Sequence, residues 1–269
     1  MAVDTEQFKV VPGSKVRLAD HKTRADGGLT REQGKKALQK LTRRMEELQE
    51  ILYAEGRHSL LIVLQAMDAG GKDSTIRSVF GPLNPQGCRV TGFKAPSAEE
   101  RDHDYLWRVH AKAPRRGLIR VFNRSHYEDV LIVRVKNLVP KSAWKRRYRH
   151  INDFERLLTD EGTAIRKFFL HISPEYQKER FQRRLDRPDK NWKFNPDDLK
   201  ERALWPDYQA AFEEALSRCS KPAAPWYVVP AERRWFRDLL VAEVVVEAME
   251  SLGMSYPEPD FDPAEIVIP

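Results

Sequence analysis

Residues 59–80 read Ser-Leu-Leu-Ile-Val-Leu-Gln-Ala-Met-Asp-Ala-Gly-Gly-Lys-Asp-Ser-Thr-Ile-Arg-Ser-Val-Phe. The first seven are almost continuously apolar, as expected of a central parallel strand covered on both faces. A glycine-rich turn follows, then a lysine, then a stretch with helical spacing. Strand, glycine turn, lysine and helix in that order are the context of a Walker A-type phosphate-binding loop. The chemistry is direct: glycines let successive backbone N–H groups converge on phosphate oxygens, the helix N-terminus adds its positive dipole end, and Lys72 brings a mobile charge. The donors expected here are those of Ala69, Gly70, Gly71, Lys72, Asp73 and Ser74.

The loop departs from the common G-x-x-x-x-G-K-[ST] pattern in two places. Ala66 stands where the first glycine belongs, and Asp73 stands where Ser or Thr would hold magnesium. Asp68 also places a carboxylate inside the loop. Phosphate and carboxylate at one spot repel, and a divalent cation between them relieves that repulsion. Asp68 is therefore a candidate metal ligand. A purely structural strand-to-helix turn would leave Asp68 and Lys72 without a task.

Outward from the loop, apolar runs recur at 89–93, 118–122, 167–172 and 226–229, with helical stretches between them. Five strands alternating with helices predict a doubly wound, parallel five-stranded α/β sheet with helices on both faces. Thr30 and Gln33 form a capping box ahead of Leu38, Leu41, Met45, Leu48 and Leu52, which predicts an amphipathic helix. Residues 1–30 read as an extended arm, 31–253 as one domain built on the phosphate loop, and 254–269 as a Pro-rich tail.

The third strand ends in Asn123-Arg124-Ser125-His126-Tyr127-Glu128-Asp129. Ligands collect at the carboxyl ends of strands in open α/β sheets, so this cluster is expected to face the glycine loop. Arg124 suits a phosphate clamp. Glu128 and Asp129 offer oxygens, Glu128 as a second metal ligand, and Asn123 is a neutral ligand. His126 and Tyr127 either serve a ligand or simply pack. Further on, Ser173 and Pro174 open a cationic helix with Arg180, Arg183, Arg184 and Arg187 at three- and four-residue spacing, followed by Lys193. One helix face bearing all four arginines would bracket a phosphate chain, with Pro188 as its terminator, in a lid spanning about 174–200. Lys141, Lys145, Arg146, Arg147 and Arg149 make a second basic group, read mostly as surface. Leu204, Tyr208 and Phe212 form a core stripe.

The stretches 65–73, 93–97, 103–108 and 122–131, with Trp192-Lys193-Phe194 and Trp226, resemble the polyphosphate kinase 2 family over about residues 35–253. The resemblance implies a P-loop kinase of thymidylate-kinase-like fold that moves phosphate between inorganic polyphosphate and nucleotides with Mg²⁺, or Mn²⁺ in its place. Asn123 looks like the subgroup, class III, that phosphorylates nucleoside mono- and diphosphates alike, an ATP-regenerating activity. Asp68, Lys72, Asn123, Arg124 and Glu128 would then be catalytic. Lys94 and the lid cations would bind polyphosphate, and Asn123, His126, Glu128 and Asp129 the nucleotide.

A net charge of +7 over 269 residues, with 32% charged, fits a polyanionic partner. Cys88 and Cys219 match no metal spacing, and neither zinc-finger spacing nor an aromatic RNA-binding signature supports nucleic acid as that partner. The N-terminus lacks a signal-peptide pattern and no apolar run is long enough to span a bilayer, so the expectation is a cytoplasmic enzyme, as a homodimer or homotetramer. An ordinary ATP-dependent nucleotide kinase is the rival within enzymes. Asp73 speaks against it.

Overall fold

The computed structural model describes residues 3–268. Its centre is a five-stranded, all-parallel sheet: β1 (Ser59–Gln65), β2 (Cys88–Gly92), β3 (Ile119–Asn123), β4 (Thr163–His171) and β5 (Trp226–Pro230), in spatial order β2-β3-β1-β4-β5. Every residue of β1 is buried, as its unbroken apolar run requires. The expected doubly wound α/β fold is present.

The helices are α1 (Arg31–Glu55), α2 (Lys72–Thr75), α3 (Ala98–Asp102), α4 (Trp107–His110), α5 (Ile132–Val135), α6 (Lys141–Asp160), α7 (Pro174–Leu185), α8 (Asp197–Ala203), α9 (Trp205–Cys219) and α10 (Arg234–Glu250). Long helices cover both faces. Alternation along β4 shows how: Lys167 meets Glu155 of α6 and Phe169 meets Phe212 of α9, whereas Phe168 stacks on Tyr227 from the other side. On that other side α10 packs on β4 and β5 and α1 packs on α10. The capping boxes at Thr30/Gln33 and Ser97/Glu100 both close, and Ser173 with Pro174 starts α7.

Residues 3–30 hold only short 3-10 turns; they pass β5, one edge of the sheet, and then α9, where the Val16 and Leu18 N–H groups donate to Ser217 and Glu213. The Val10 N–H donates to the Trp226 carbonyl at 2.8 Å, and Val10, Val16 and Leu18 are buried. The arm covers backbone groups that an exposed edge strand would offer to other chains. The segment after α10 is exposed, including Phe261 and Ile266. No helix of the described residues is long and apolar enough to cross a membrane.

One expectation needs correction here. Helix α7 stops at Leu185, and Pro188 opens a 3-10 turn to Lys193 instead of merely ending a long helix. Arg187 therefore lies off the helix and cannot share a face with Arg180, Arg183 and Arg184.

Candidate active site

Parallel pairing sets Leu64 beside Asn123, so the loops leaving β1 and β3 emerge side by side at the carboxyl end of the sheet. Both loops hold unusual backbone. Ala69 and Arg124 lie in the left-handed region at φ of 62° and 63°, where non-glycine residues are uncommon and local strain is retained only if the surroundings enforce it. Gly71 has φ 103°. A side chain there would also collide with the Arg237 guanidinium. Gly70 is required by close packing: a Cβ would stand 2.6 Å from the Ala66 Cβ. Ala66 thus fills space that the usual first glycine leaves open.

The N–H of Gly70 is used by the Met67 carbonyl at 3.0 Å, so it is a strut of the loop. The donors left for an anion are the N–H groups entering the helix at residues 71–74. Lys72 folds back over the loop, donating to the Ala66 carbonyl at 3.1 Å. Burial lowers its proton affinity, while Asp68 opposes that effect. The Ser74 hydroxyl donates to the Gly71 carbonyl at 2.9 Å and accepts from Arg237 at 3.0 Å, so it braces the loop and leaves only its N–H for a ligand.

The two loops are joined by polar contacts. Arg124 Nη2 donates to Asp68 Oδ1 at 3.1 Å, and Asn123 Nδ2 donates to Asp73 Oδ1 at 2.7 Å. That second contact accounts for the irregular Asp73: it takes a neutral amide as neighbour where a carboxylate would repel it. Burial disfavours the Arg124 charge, but Glu128 and Asp68 together more than restore it. Burial also raises the Glu128 pKa, against the pull of Arg124 and Lys72. Asp68, Arg124, Glu128, Asp198, Glu201 and Tyr208 line a cavity of about 170 Å³. A wider groove of about 700 Å³ between Trp107 and Leu157 is open and away from both loops.

Two expectations for the second motif fail. His126 is fully buried with Nε2 at 3.1 Å from Glu155, in a network with Tyr127 and Lys167 on the α6 side of the sheet. It cannot reach a nucleotide. Asp129 is buried too, paired with Arg147 at 2.8 Å, and burial pushes its pKa up to about 6. It holds the loop in place instead of facing a ligand. The same pairing takes Arg147 out of the exposed basic group.

The lid cations divide. Arg184 is tied to Asp198 at 3.4 Å and to the Lys193 carbonyl, joining α7 to α8, and Arg187 pairs with Asp189 at 3.0 Å. Lys193 lies over Trp192, and Lys94 is exposed beyond β2 while its carbonyl accepts from Arg108 at 2.9 Å. Arg180 and Arg183 keep no carboxylate partner among the described residues. Burial and then Arg234 reduce the proton affinity of Arg180.

Sequence reasoning missed three residues that shape this site. Gln177 donates to the Asp68 carbonyl at 2.9 Å and anchors the lid helix to the loop. Arg237 and its partner Asp238 seat the loop from α10, the Arg237 Nε donating to Asp238 Oδ1 at 2.8 Å. A buried Arg-Asp pair within an apolar helix was the available signal.

Strand, glycine loop, lysine and helix, set against Arg124 and the arginine-bearing helix α7, make up a phosphate-loop kinase fold. The chain belongs to the polyphosphate kinase 2 family, whose model matches residues 28–256. It is 52% identical to the AMP/ADP-polyphosphate phosphotransferase of Meiothermus ruber, over 98% of this chain and 99% of that one. It is 48% identical to the ADP-polyphosphate phosphotransferase of Rhodopseudomonas palustris, over 96% and 94%. The crystal structure of polyphosphate kinase 2 from Arthrobacter aurescens TC1 superposes with a TM-score of 0.93 at 43% identity, covering 96% of this chain and 93% of that one.

Proposed function

We infer that this protein transfers phosphoryl groups from inorganic polyphosphate to nucleoside mono- and diphosphates, AMP and ADP among them. The carrying observation is the pairing of Asp68 with Arg124 across the two loops, a carboxylate inside a phosphate loop beside a guanidinium suited to phosphate. The full-length likeness to an AMP/ADP-polyphosphate phosphotransferase supports both acceptors.

In-line phosphoryl transfer asks for positioning and charge neutralisation more than for covalent chemistry. The N–H groups at 71–74 and Lys72 would hold the transferring phosphoryl, and Arg124 would neutralise its equatorial oxygens. Asn123 would keep the acceptor side less negative, leaving room for a second phosphate. Arg180 and Arg183 would close over the donor chain.

No group of three metal-binding side chains exists among the described residues. Mg²⁺ usually takes one or two carboxylates and completes its shell with water and substrate phosphates, so Asp68 with Glu128 fits. Bound there, the ion would supply charge neutralisation between donor and acceptor phosphates. Mn²⁺ suits the same oxygens.

The test is turnover of purified protein with Mg²⁺, polyphosphate and AMP or ADP, without ATP. Formation of ADP and ATP is expected; dependence on ATP as sole donor would replace this reading with an ordinary nucleotide kinase.

A further inference from the structure

Helix α10 begins against electrostatic preference. Its first residues are Arg234, Trp235, Phe236 and Arg237, preceded by Arg233, and no acid lies in the first turn. Cations at the positive end of a helix dipole are unfavourable. Arg233 is relieved by Asp26 and Arg237 by Asp238. Exposed Arg234 has no carboxylate partner among the described residues, and its charge acts on Arg180 of α7.

The N-terminal arm arrives at this same point. The Glu232 N–H donates to the Thr23 carbonyl at 3.1 Å, and the Glu232 carboxylate accepts from the Ser173 hydroxyl at 2.7 Å where α7 starts. Arm, α10 and lid therefore meet at one residue. Lys22 and Arg24 flank that anchor, are exposed, and have no ion-pair partner among the described residues. Together with His21 and Arg233 they line a cavity of about 580 Å³ that also includes Asp20 and the already paired Asp26.

We propose that Lys22 and Arg24 of the arm, with Arg234 of α10, form a distal subsite for a polyphosphate chain. The inference rests on the donor assigned above. A continuous path joins the subsite to the phosphate loop: Arg237 touches the loop at Gly71 and Ser74, Arg234 lies one helical turn away, and the Thr23 anchor adjoins it. A long linear polyanion seated at the loop has remaining units to place, and Lys22, Arg24 and Arg234 are cations with no ion-pair partner among the described residues. A short chain on the loop reaches Arg234 at most and leaves Lys22 and Arg24 unoccupied. The subsite therefore sets preference for long chains without touching the transferring phosphoryl.

The experiment compares wild type with Lys22→Gln/Arg24→Gln, and separately with Arg234→Gln. Each is assayed with tetraphosphate and with chains of several tens of units, at several salt concentrations and with a melting temperature recorded. The expected result for both variants is a KM for long chains raised about five- to ten-fold, with a shallower salt dependence as phosphate contacts are lost. For Lys22→Gln/Arg24→Gln, KM for tetraphosphate, kcat and nucleotide KM stay at wild-type values. An unchanged ratio of long- to short-chain KM overturns the subsite, as does an equal rise for both donors. Weakened binding of a single-stranded RNA with long-chain KM unmoved also overturns it, assigning the strip to another polyanion. Absence of polyphosphate turnover in the wild type is a separate result, and it would remove the donor assignment itself.

Discussion

Two charged clusters begin within a few residues of one another and end on opposite sides of the structure's logic. The loop after β3 sends Asn123, Arg124 and Glu128 toward the phosphate loop, and Ser125, His126 and Tyr127 into the core. The core cluster is paired within itself, with His126 Nδ1 its one ring nitrogen lacking a partner among the described residues. Lys167 donates to Glu155 at 2.5 Å, to the Tyr127 hydroxyl at 2.9 Å and to the Cys219 carbonyl at 2.6 Å, and His126 completes Glu155. The site cluster is open: Asp68 and Arg124 share one contact and stay partly exposed, at 28% and 40% of their side chains. The same residue types do different work. Satisfied groups in a dry interior specify a packing, whereas groups with spare bonding capacity beside a cavity await a ligand.

The contrast breaks most visibly at Asp68. Asp68→Asn is expected to lower kcat at least about a thousand-fold, roughly 4 kcal/mol of transition-state stabilisation, with the melting temperature unchanged. Steady-state rates and a thermal melt on one preparation decide it; substantial retained activity would remove Asp68 from the mechanism. Lys167→Met is the mirror experiment. Glu155 would be left buried and short of its cation, costing about 3–5 kcal/mol and lowering the melting temperature by roughly 10 °C. Adding Glu155→Gln should recover part of that loss, and a failure to recover would show that packing, not charge, dominates there.

His171 sharpens the comparison as an incompletely satisfied core group. Its Nδ1 lacks a partner among the described residues, and burial, helped by His21, pushes its pKa down to about 4. A base depressed in the folded state takes up its proton more readily when unfolded. Its stability contribution is therefore full above the ordinary histidine range near 6.5 and shrinks as pH falls toward 4. Urea midpoints should show about 2 kcal/mol less stability at about pH 5 than at about pH 7, and His171→Gln should flatten that slope. An identical slope in the variant would acquit His171.

The smallest effect concerns Asn123. Asn123→Asp sets a carboxylate against Asp73, and the ratio of activity on ADP to that on AMP should fall by a few-fold, on the order of 1 kcal/mol. The check is a pair of kcat/KM values, and an unchanged ratio refutes the acceptor role.

Much of this was legible in the chain. The five strands fall within a few residues of their expected places. Strands β1 and β5 are buried and apolar along their length, a pattern local enough to read. The edge strand β2 has no buried residue and is marked instead by its β-branched and turn residues. The glycine loop was readable for a similar reason: its conformation needs specific residues at specific positions. His126 and Asp129 misled because a motif records which residues occur together, not which side of the backbone each occupies. Leu185–Pro188 misled as well, since helical spacing continued in the arginines after the helix had ended. Gln177, Arg237 and Asp238 gave little local signal, as their role exists only where α7 and α10 meet the loop.

By itself, then, the sequence determined the strand and loop pattern, the family and the irregular phosphate loop. These are properties of short segments, set by backbone preference and burial periodicity. Tertiary structure alone decided which charges neutralise one another: Asn123 with Asp73, Lys167 with Glu155, and the arm with the start of α10. Electrostatic pairing depends on distance in space and on exclusion of water, and neither is written at any single position in the chain.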